Sequence, residues 1–542
     1  MTGKTSAKFV LLTLAAGQFL MALDTSVMNV AIASVAEDVG TTVAGVQGAI
    51  AAYTLVMAVL MIPGGKLGAI IGRKRAFMIG CVIYGCGSFT TSLAPNLPVL
   101  LLGWSFLEGV GAALILPAIV ALVAGNFVQQ QRPAAYGLVA AAGAIAIAVG
   151  PLIGGIATTY FSWRWVFAGE VVIVLVILLF ARRVADAPPD VRPRIDVVGA
   201  LLSALGLGTF VYGVLQSDVW GWFIPKPNGP SWFGISPVVW LMLAGVFVVW
   251  LFLQWESHLA KRGKEPLVDP GLLRNRQLVG GLTMFFFQYL TQLGVFVIVP
   301  LYLSVALGLS ALATGARITP LSLPLLAAAL AIPRLLPEAS PRRLVRLGML
   351  SVTLGAAVLL AALEVGAGPE IVTVPLLLIG LGMGTLASQL GAVTVSAVPD
   401  ERSAEVGGVQ NTVTNLGASI GTALASSIMI GAMTSAFLTA VELNPAIPAQ
   451  VKQQAQVQLV GGVPFLSDAQ LETALGKAGM PPQAAQATLQ ANADARIVGL
   501  KAALAILVLA GLISLFFVHL IPTTQPGSAR QEDSPENEPP PS

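Results

Sequence analysis

The 542-residue sequence is too apolar for a water-soluble protein: 56% of its residues are hydrophobic, 10% are charged, and its mean hydropathy is +0.83. Soluble domains carry about 25% charged residues, which cover their surface. The composition therefore excludes a soluble enzyme or binding domain. A net charge of +3 is too small to indicate a nucleic-acid partner.

Apolar runs of about 20 residues recur along the whole chain, and each is long enough to cross roughly 30 Å of hydrocarbon. Helices pair every backbone polar group internally, as a lipid environment requires. We therefore predict an all-α polytopic membrane protein with about fourteen transmembrane helices. The predicted spans are 9–35, 45–63, 76–95, 97–124, 134–158, 164–181, 197–216, 236–255, 277–304, 311–333, 343–363, 371–393, 405–437 and 497–521.

Charge alternates between the two sets of connections. One side collects the cations Lys4, Lys8, Arg73, Lys74, Arg75, Arg132, Arg182, Arg183, Arg192, Arg194, Lys261, Arg262, Lys264, Arg274, Arg276, Arg342 and Arg343. The other side carries the acids Glu37, Asp38, Asp218, Glu364 and Glu370. Because Lys and Arg concentrate in cytoplasmic connections, we predict a multi-pass protein of the cell inner (plasma) membrane with both termini in the cytoplasm.

Two segments depart from this regular pattern. Residues 438–495 form an outward-facing connection far longer than usual, and Ser467 with Gln470 matches a capping box. We predict a small helical hairpin there, which is either a passive spacer or a lid or partner site. Residues 523–542 are acidic and proline-rich, which is typical of a disordered tail.

Motifs for covalent or metal chemistry are not found in the sequence. Cys81 and Cys86 lie five residues apart on one predicted helix and point about 140° away from each other, which argues against a disulfide or a metal clip. The chain has no P-loop and no G-x-S-x-G motif. We therefore predict no enzymatic activity, no cofactor and no metal site.

Three acids fall inside predicted spans: Asp24, Glu108 and Glu170. A charge near the bilayer centre costs roughly 2.5–3.5 kcal/mol on insertion scales, so buried acids usually face a bundle interior or a wet cavity. Because burial disfavours the charged form, such carboxyls are candidates for binding and releasing protons. The alternative is that each is a protonated acid hydrogen-bonded to a neighbouring helix.

Small residues and a proline are concentrated in the fifth predicted helix, at Gly150, Pro151, Gly154 and Gly155. Small residues four apart let helices approach closely, and an internal proline removes one backbone hydrogen bond and bends the helix. We interpret the segment as a packing surface that also bends at a domain interface.

Several motifs occur in the order and spacing of a known family: LDTSVMNVA (23–31), the Gly-rich basic turn (65–75), EGVGAALILP (108–117), GPLIGG (150–155), WRWVF (163–167) and YLSVALGLSALATG (302–315). Together they resemble the fourteen-span drug:proton antiporter branch of the major facilitator superfamily. The resemblance implies two six-helix bundles with two inserted helices. The implied division is 1–195 for the N-terminal bundle, 196–260 for the inserted pair, 261–522 for the C-terminal bundle and 523–542 for the cytoplasmic tail.

The sequence departs from the family pattern at two places. The turn after the second helix keeps Gly65, Gly72, Arg73 and Lys74, but Ala69 replaces the acid that clasps the opposite bundle in the family. Ser105 replaces an arginine three residues before Glu108, which leaves the membrane acids without a buried cation. Because Glu338 precedes Arg342 by the same offset that separates Ala69 from Arg73, we hypothesise that the gate acid has moved to Glu338.

The resemblance implies export of amphiphilic or cationic small molecules against an inward flow of protons, by alternating access. Candidate cavity residues are Asn29, Tyr53, Gln288, Gln292, Gln389 and Asn411, although hydrogen bonding between helices is an equal alternative for the amides. The expected partners are a small-molecule or lipid substrate, protons and membrane lipids, with the protein a monomer. A second hypothesis is an exporter or flippase of a lipid, glycolipid or endogenous metabolite with altered or absent proton coupling.

Overall fold

The structure is a computed structural model that describes residues 2–525 except residue 42 and residues 186–195, 227–228, 400–401, 446, 449–451, 453–464 and 466. Residues 526–542 of the predicted disordered tail (523–542) lie outside the described residues. The predicted cytoplasmic cations Arg192 and Arg194 also lie outside them. The described chain is helical, and its long helices match the predicted spans in number and order.

The described residues include fourteen long helices. They are α1 (Thr2–Asp38), α2 (Val43–Ile71), α3 (Arg73–Ser92), α4 (Leu97–Asn126), α5 (Arg132–Tyr160), α6 (Arg164–Ala181), α7 (Val197–Leu215), α8 (Pro237–Lys261), α9 (Arg276–Leu301), α10 (Ala311–Leu335), α11 (Pro341–Ala362), α12 (Thr373–Val395), α13 (Ser403–Leu443) and α14 (Pro482–Phe517). Thirteen of them are long and apolar enough to cross a membrane. The remaining helix, α3, is 20 residues long, but it begins with three cations and ends with hydroxyl residues.

Short helical segments lie between the long helices or at their ends. They are a π-helical turn at Tyr302–Ala306, a helical turn at Ser217–Trp220, an outer helix at Asp468–Lys477, and 3-10 turns at Gln129–Gln131, Pro270–Arg274, Pro369–Val372 and Val518–Leu520. Polar side chains fix several helix starts: those of Asp196, Ser236, Asn275 and Ser310 accept hydrogen bonds from backbone N–H groups of the first turn, as N-caps do.

The helices pack as two halves with an added pair. In the first half α1 packs on α5, and α3 packs on α4 and α6; in the second, α9 packs on α13, α10 and α11 on α12, and α13 on α14. The pair α7 and α8 pack on each other, and α7 also contacts α2. Contacts between the halves run through α2 with α13 and through α5 with α10 and α12.

The glycine-rich segment after the second span differs from the prediction. We expected a turn over residues 65–75, but α2 continues to Ile71, and Gly72, with φ 100°, interrupts the helix before α3. The reason is close packing: a Cβ on Gly65 would lie 2.8 Å from the Ala404 carbonyl oxygen of α13. Glycine here lets two helix backbones approach, as small residues do in membrane proteins.

The outer insertion contains the predicted helical hairpin. Ser467 and Gln470 form the capping box of the helix Asp468–Lys477, and Gly479, with φ 66°, follows the end of that helix. The chain then enters α14 at Pro482 and continues into the last span without a break. Arg496 of α14 donates a hydrogen bond to Asp468 at 2.5 Å, which fixes the outer helix to the span.

Candidate functional site

The three membrane acids, which lie on three different helices, meet inside the first half of the molecule. One carboxylate oxygen from each of Asp24 (α1), Glu108 (α4) and Glu170 (α6) lies within 4.8 Å of the other two. Each residue has 0% of its surface exposed. We call these three residues the carboxyl triad. The packing of α1 on α4 and α6, and of α3 on α4 and α6, creates it.

A widened turn in α4 presents Glu108 to the triad. Residues Leu101–Glu108 form a π-helical segment between two α-helical parts of the same span, and such π-segments are frequent at functional sites. Gly87 of α3 lies directly against Glu108, because a Cβ there would stand 2.6 Å from the Glu108 Cγ atom. Helix α3 therefore fixes the position of the Glu108 side chain.

Asp24 is oriented by an indole from the same π-helical segment. The Nε1–H group of Trp104 donates a hydrogen bond of 2.7 Å to Asp24 Oδ1. The Trp104 ring stacks on Tyr53 of α2, with 5.3 Å between centroids and 5° between planes, and both rings are buried. The predicted cavity residue Tyr53 thus supports the hydrogen-bond donor to Asp24.

The other two acids receive hydrogen bonds from hydroxyl groups of α3. Thr91 Oγ1 donates to Glu108 Oε1 at 3.2 Å, and Ser88 Oγ donates to Glu170 Oε2 at 3.2 Å. Helix α3 thereby acts as the polar side of the site, although it is otherwise packed among apolar helices.

One oxygen of each triad acid has no hydrogen-bond partner: Asp24 Oδ2, Glu108 Oε2 and Glu170 Oε1. The buried hydroxyl of Tyr84, on α3, is also without a partner. In the described part of the chain no Lys, Arg or His side chain forms an ion pair with these acids.

Electrostatics limits how much charge the triad can hold. Two negative charges 4.8 Å apart repel by about 3.5 kcal/mol at an effective dielectric constant of 20, and burial adds a desolvation penalty for each charge. Protons can neutralise such a cluster, and three carboxylates at this spacing could also hold a hard cation through their oxygens. A test of the prediction that the protein has no metal site should therefore measure cation binding at the triad.

The predicted amides lie in several places. Gln288 and Gln292 are both buried on α9, whereas Asn29 on α1 is exposed and Asn411 on α13 is half-buried. Gln389 is buried near the C-terminal end of α12, where its Oε1 accepts a hydrogen bond of 3.2 Å from Gln525. The structure thus places Gln389 against the C-terminal segment.

The predicted gate residues have different neighbours. Arg73 Nη1 donates to the Ala121 carbonyl oxygen at 3.4 Å, and Lys74 Nζ donates to the Arg182 carbonyl oxygen at 2.8 Å. Both acceptors belong to the first half, as do the two cations. Glu338 is exposed in the turn between α10 and α11.

The glycines of α5 pack on α1 within the first half. A Cβ on Gly154 would lie 3.3 Å from a Val27 methyl group, and Gly150 faces Ser26, whose hydroxyl donates to the Ile147 carbonyl oxygen at 3.0 Å. Gly155 is buried, and α5 continues through Pro151 to Tyr160. The segment packs closely, as the spacing of its small residues predicts.

Residues 14–422 match the family model of the Major Facilitator Superfamily. The chain belongs to this superfamily. It is therefore a multi-pass membrane transporter that acts on small molecules, and this family and its fold are those of transporters rather than enzymes. The resemblance drawn from the sequence motifs is confirmed at the level of the superfamily.

Curated relatives include several antibiotic and drug exporters of the major facilitator superfamily. The transporter is 31% identical to the puromycin resistance protein pur8 of Streptomyces alboniger, over 80% of this chain and 84% of the relative. It is 30% identical to the probable actinorhodin transporter of Streptomyces coelicolor, over 76% and 71%. It is 26% identical to the multidrug resistance protein Stp of Mycobacterium tuberculosis, over 83% and 81%.

Solved structures confirm the fold. The proton:xylose symporter XylE, described as a protein of the same superfamily, matches with a TM-score of 0.55 at 14% identity, over 96% of this chain and 98% of that chain. The human organic anion transporter MFSD10 matches with a TM-score of 0.54 at 12% identity, over 94% and 99%. At these identities the matches establish the major facilitator fold and nothing about substrate.

Sequence reasoning missed the residues that surround the triad in this transporter. Tyr84, Ser88 and Thr91 recur at positions i, i+4 and i+7 of α3 and so form one polar face on an apolar helix. That spacing could have predicted the polar face from the sequence. Nothing local marked Trp104, because an indole in an apolar span is equally common as core packing.

Proposed function

We propose that the transporter exports amphiphilic or cationic small molecules in exchange for protons, and that the carboxyl triad carries the protons. The observation that carries this proposal is the burial of three acids against one another without an ion-pair partner. Bound protons would neutralise such a cluster while it is sealed, and the cluster would release them when one side opens to water.

The proposed cycle uses the two halves as the moving bodies of alternating access. The halves touch where α2 meets α13 and where Tyr136 of α5 meets Gly391 of α12, and these contacts would close one end of the molecule. We call it the basic end, because the predicted cytoplasmic cations lie there. Protons would enter the triad from the opposite end and leave at the basic end, where substrate binds.

The order of proton release follows from charge repulsion within the triad. The first carboxylate to form makes a second charge within 4.8 Å unfavourable, so a cationic substrate would help to stabilise the deprotonated triad. Competition between substrate and protons then couples the two fluxes. The names of the relatives, which include puromycin resistance and multidrug resistance proteins, support drug-like substrates.

The proposal includes the arrangement predicted from the sequence. The bundles would comprise residues 1–195 and 261–522, with the inserted pair at 196–260 and both termini on the cytoplasmic side of the plasma membrane. The protein would act as a monomer, since the triad is built within one half of one chain.

The test is proton movement in proteoliposomes that contain the purified protein, with puromycin and ethidium as probes. Substrate added on one side should drive proton movement in the wild type, and Asp24→Asn should reduce that movement at least tenfold. Glu37→Gln is the matched control, because it removes an exposed carboxyl from the same helix and should change the proton movement less than twofold.

Three results would overturn this proposal. The first is equal proton movement in the wild type and in Asp24→Asn, which would remove Asp24 from coupling. The second is transport that follows an imposed Na⁺ or Ca²⁺ gradient and ignores pH, which would assign the triad to a metal cation. The third is gradient-insensitive flux of a fluorescent lipid without flux of either probe, which would favour the lipid-transport hypothesis.

A further inference from the structure

A short linker at the basic end touches three separate parts of the transporter. We call residues 266–269, which connect α8 to the 3-10 turn before α9, the strap. Lys66 Nζ of α2 donates a hydrogen bond of 2.8 Å to the Pro266 carbonyl oxygen. The Leu267 N–H group donates to Glu256 Oε2 of α8 at 2.6 Å, and the Asp269 N–H group donates to Glu405 Oε1 of α13 at 2.6 Å.

An arginine completes the attachment to the second half. Both terminal nitrogens of Arg402 lie 3.1 Å from Asp269 Oδ2, and its Nε donates to Glu405 Oε2 at 3.2 Å. Glu405 thus bonds the strap backbone through one oxygen and Arg402 through the other. Charge-assisted bonds of this kind are shorter and stronger than neutral ones.

The middle of the strap is an apolar contact. Leu267 is 1% exposed and Val268 is 4% exposed, and their cluster includes Phe252 of α8, Ile62 of α2 and Val409 of α13. The apolar side chains of the strap therefore pack between helices of both halves, next to the hydrogen bonds of its backbone.

The two charged anchors of the strap are nearly buried and belong to different halves. Lys66 on α2 is 8% exposed and Glu405 on α13 is 9% exposed, and the helices cross closely there, where Gly65 faces Ala404 and Gly408. Separation of α2 from α13 must therefore break either the bond of Lys66 to Pro266 or the bond of Glu405 to Asp269. Hydrogen bonds to charged groups are stronger than neutral ones, so the loss of either bond opposes opening.

We propose that Lys66 and Glu405, joined through the strap, are the positioning residues that hold the basic end of this transporter closed during the transport cycle. This pair would take the place of the acid that Ala69 replaces, with the charges reversed. The cation, Lys66, lies on the first half, and the acid, Glu405, lies on the second. The inserted helices α7 and α8 gain a role in gating, since α8 leads directly into the strap and holds it through Glu256. This inference uses alternating access from the proposed function and does not depend on proton coupling.

The experiment measures the distance between the halves by electron paramagnetic resonance in lipid nanodiscs. Spin labels replace Arg75 and Arg343, which are exposed in the first turns of α3 and α11 at the basic end. Lys66→Met and Glu405→Gln should each increase the long-distance population at least threefold. Lys66→Arg keeps the charge and should restore the wild-type distribution.

The strap region supplies matched controls for both changes. Lys264→Met and Glu265→Gln remove the same side-chain charges from exposed positions of the same linker and should leave the distribution unchanged. Asp24→Asn combined with Lys66→Met should still open the basic end, so a failure of proton coupling is distinguishable from a failure of the lock.

Unchanged distance distributions in folded Lys66→Met and Glu405→Gln proteins would overturn the proposal. An equal shift in the two linker controls would also overturn it, because the effect would then be one of general charge. The two anchors lie on different helices, so if one variant fails to fold, the other still decides the outcome.

Discussion

The two halves of the transporter differ in the charged side chains that they bury. The first half buries the three acids of the carboxyl triad at its centre. The buried polar residues of the second half are amides and hydroxyls: Gln288, Thr291, Gln292, Thr314, Ser322, Thr353, Thr385, Ser388, Gln389, Thr394, Ser403, Gln410, Thr412, Thr414, Ser419, Thr488, Asn492 and Ser514. Over the described residues of that half, the buried charges are Glu405, at the strap, and Arg496, which pairs with Asp468.

We expect this difference to separate two chemical tasks. Carboxyls can bind and release protons, whereas amides and hydroxyls exchange hydrogen bonds without a change of charge. The comparison therefore predicts that changes around the triad alter proton coupling and that changes in the second half alter substrate recognition. Four substitutions can break or sharpen this division.

The largest effect is expected for Trp104→Phe, which removes the donor to Asp24 and keeps an aromatic ring against Tyr53. Hydrogen bonds to charged groups contribute about 1.5–3 kcal/mol, which corresponds to roughly a 10- to 100-fold change at 1.36 kcal/mol per factor of ten. We expect a loss of that size in substrate-driven proton movement. Trp163→Phe is the matched control, since Trp163 donates a similar bond of 2.9 Å to Asp38 at the end of α1. A loss in the control as large as that in Trp104→Phe would contradict the prediction.

The next effect is expected for Gly87→Ala. The new Cβ would lie 2.6 Å from Glu108 Cγ and 2.8 Å from the Gly103 carbonyl oxygen, and overpacking of this kind typically costs about 1–3 kcal/mol. Thermal unfolding in detergent should show the lower stability, and proton coupling should fall with it. Gly169→Ala is the control, because nothing lies within 4 Å of its Cβ; equal behaviour of the two variants would show that Glu108 tolerates displacement.

A smaller effect is expected for Gln288→Leu on α9. Its buried Oε1 atom has no hydrogen-bond partner among the described residues, so we expect it to accept a bond from substrate when the halves separate, and a typical net hydrogen bond contributes about 0.5–1.5 kcal/mol. The apparent KM for puromycin should rise about 2- to 10-fold by the same conversion, while the ratio of protons to substrate stays constant. Gln254→Leu, at an exposed position of α8, is the control. A changed proton ratio in Gln288→Leu would break the division between the halves.

The smallest effect is expected for Glu338→Gln. This acid is exposed between α10 and α11, and exposed charges contribute about 0–1 kcal/mol. Transport and spin-label distances should stay within twofold of the wild type, in contrast to Glu405→Gln. A large effect would support the hypothesis that Glu338 is the gate acid, which was drawn from the offset between Ala69 and Arg73.

Several features of the fold followed from the sequence. Span length, hydropathy and charge alternation predicted the helices and their order, and the motif set predicted the superfamily. These properties are readable because a lipid environment makes each span nearly self-sufficient in backbone hydrogen bonds. Local signals were also enough for the capping box at Ser467 and Gln470.

The exact end of α2 and the partners of the buried charges could not be predicted in this way. A glycine-rich basic segment is typical of a turn, but packing of Gly65 against α13 keeps it helical to Ile71. Ala69 indicated that a clasp was missing, and it gave no information about Lys66 and Glu405, which come together through the strap.

The sequence by itself determined that Asp24, Glu108 and Glu170 fall inside long apolar runs. Because burying a charge in such a run is costly, it predicted that the three acids face a bundle interior or a wet cavity. The tertiary structure alone decided that the three acids share one site, with Trp104 and the hydroxyl groups of α3 as their donors. The reason is that contacts between helices far apart in the chain depend on how their faces pack, and helix periodicity alone does not specify which faces meet.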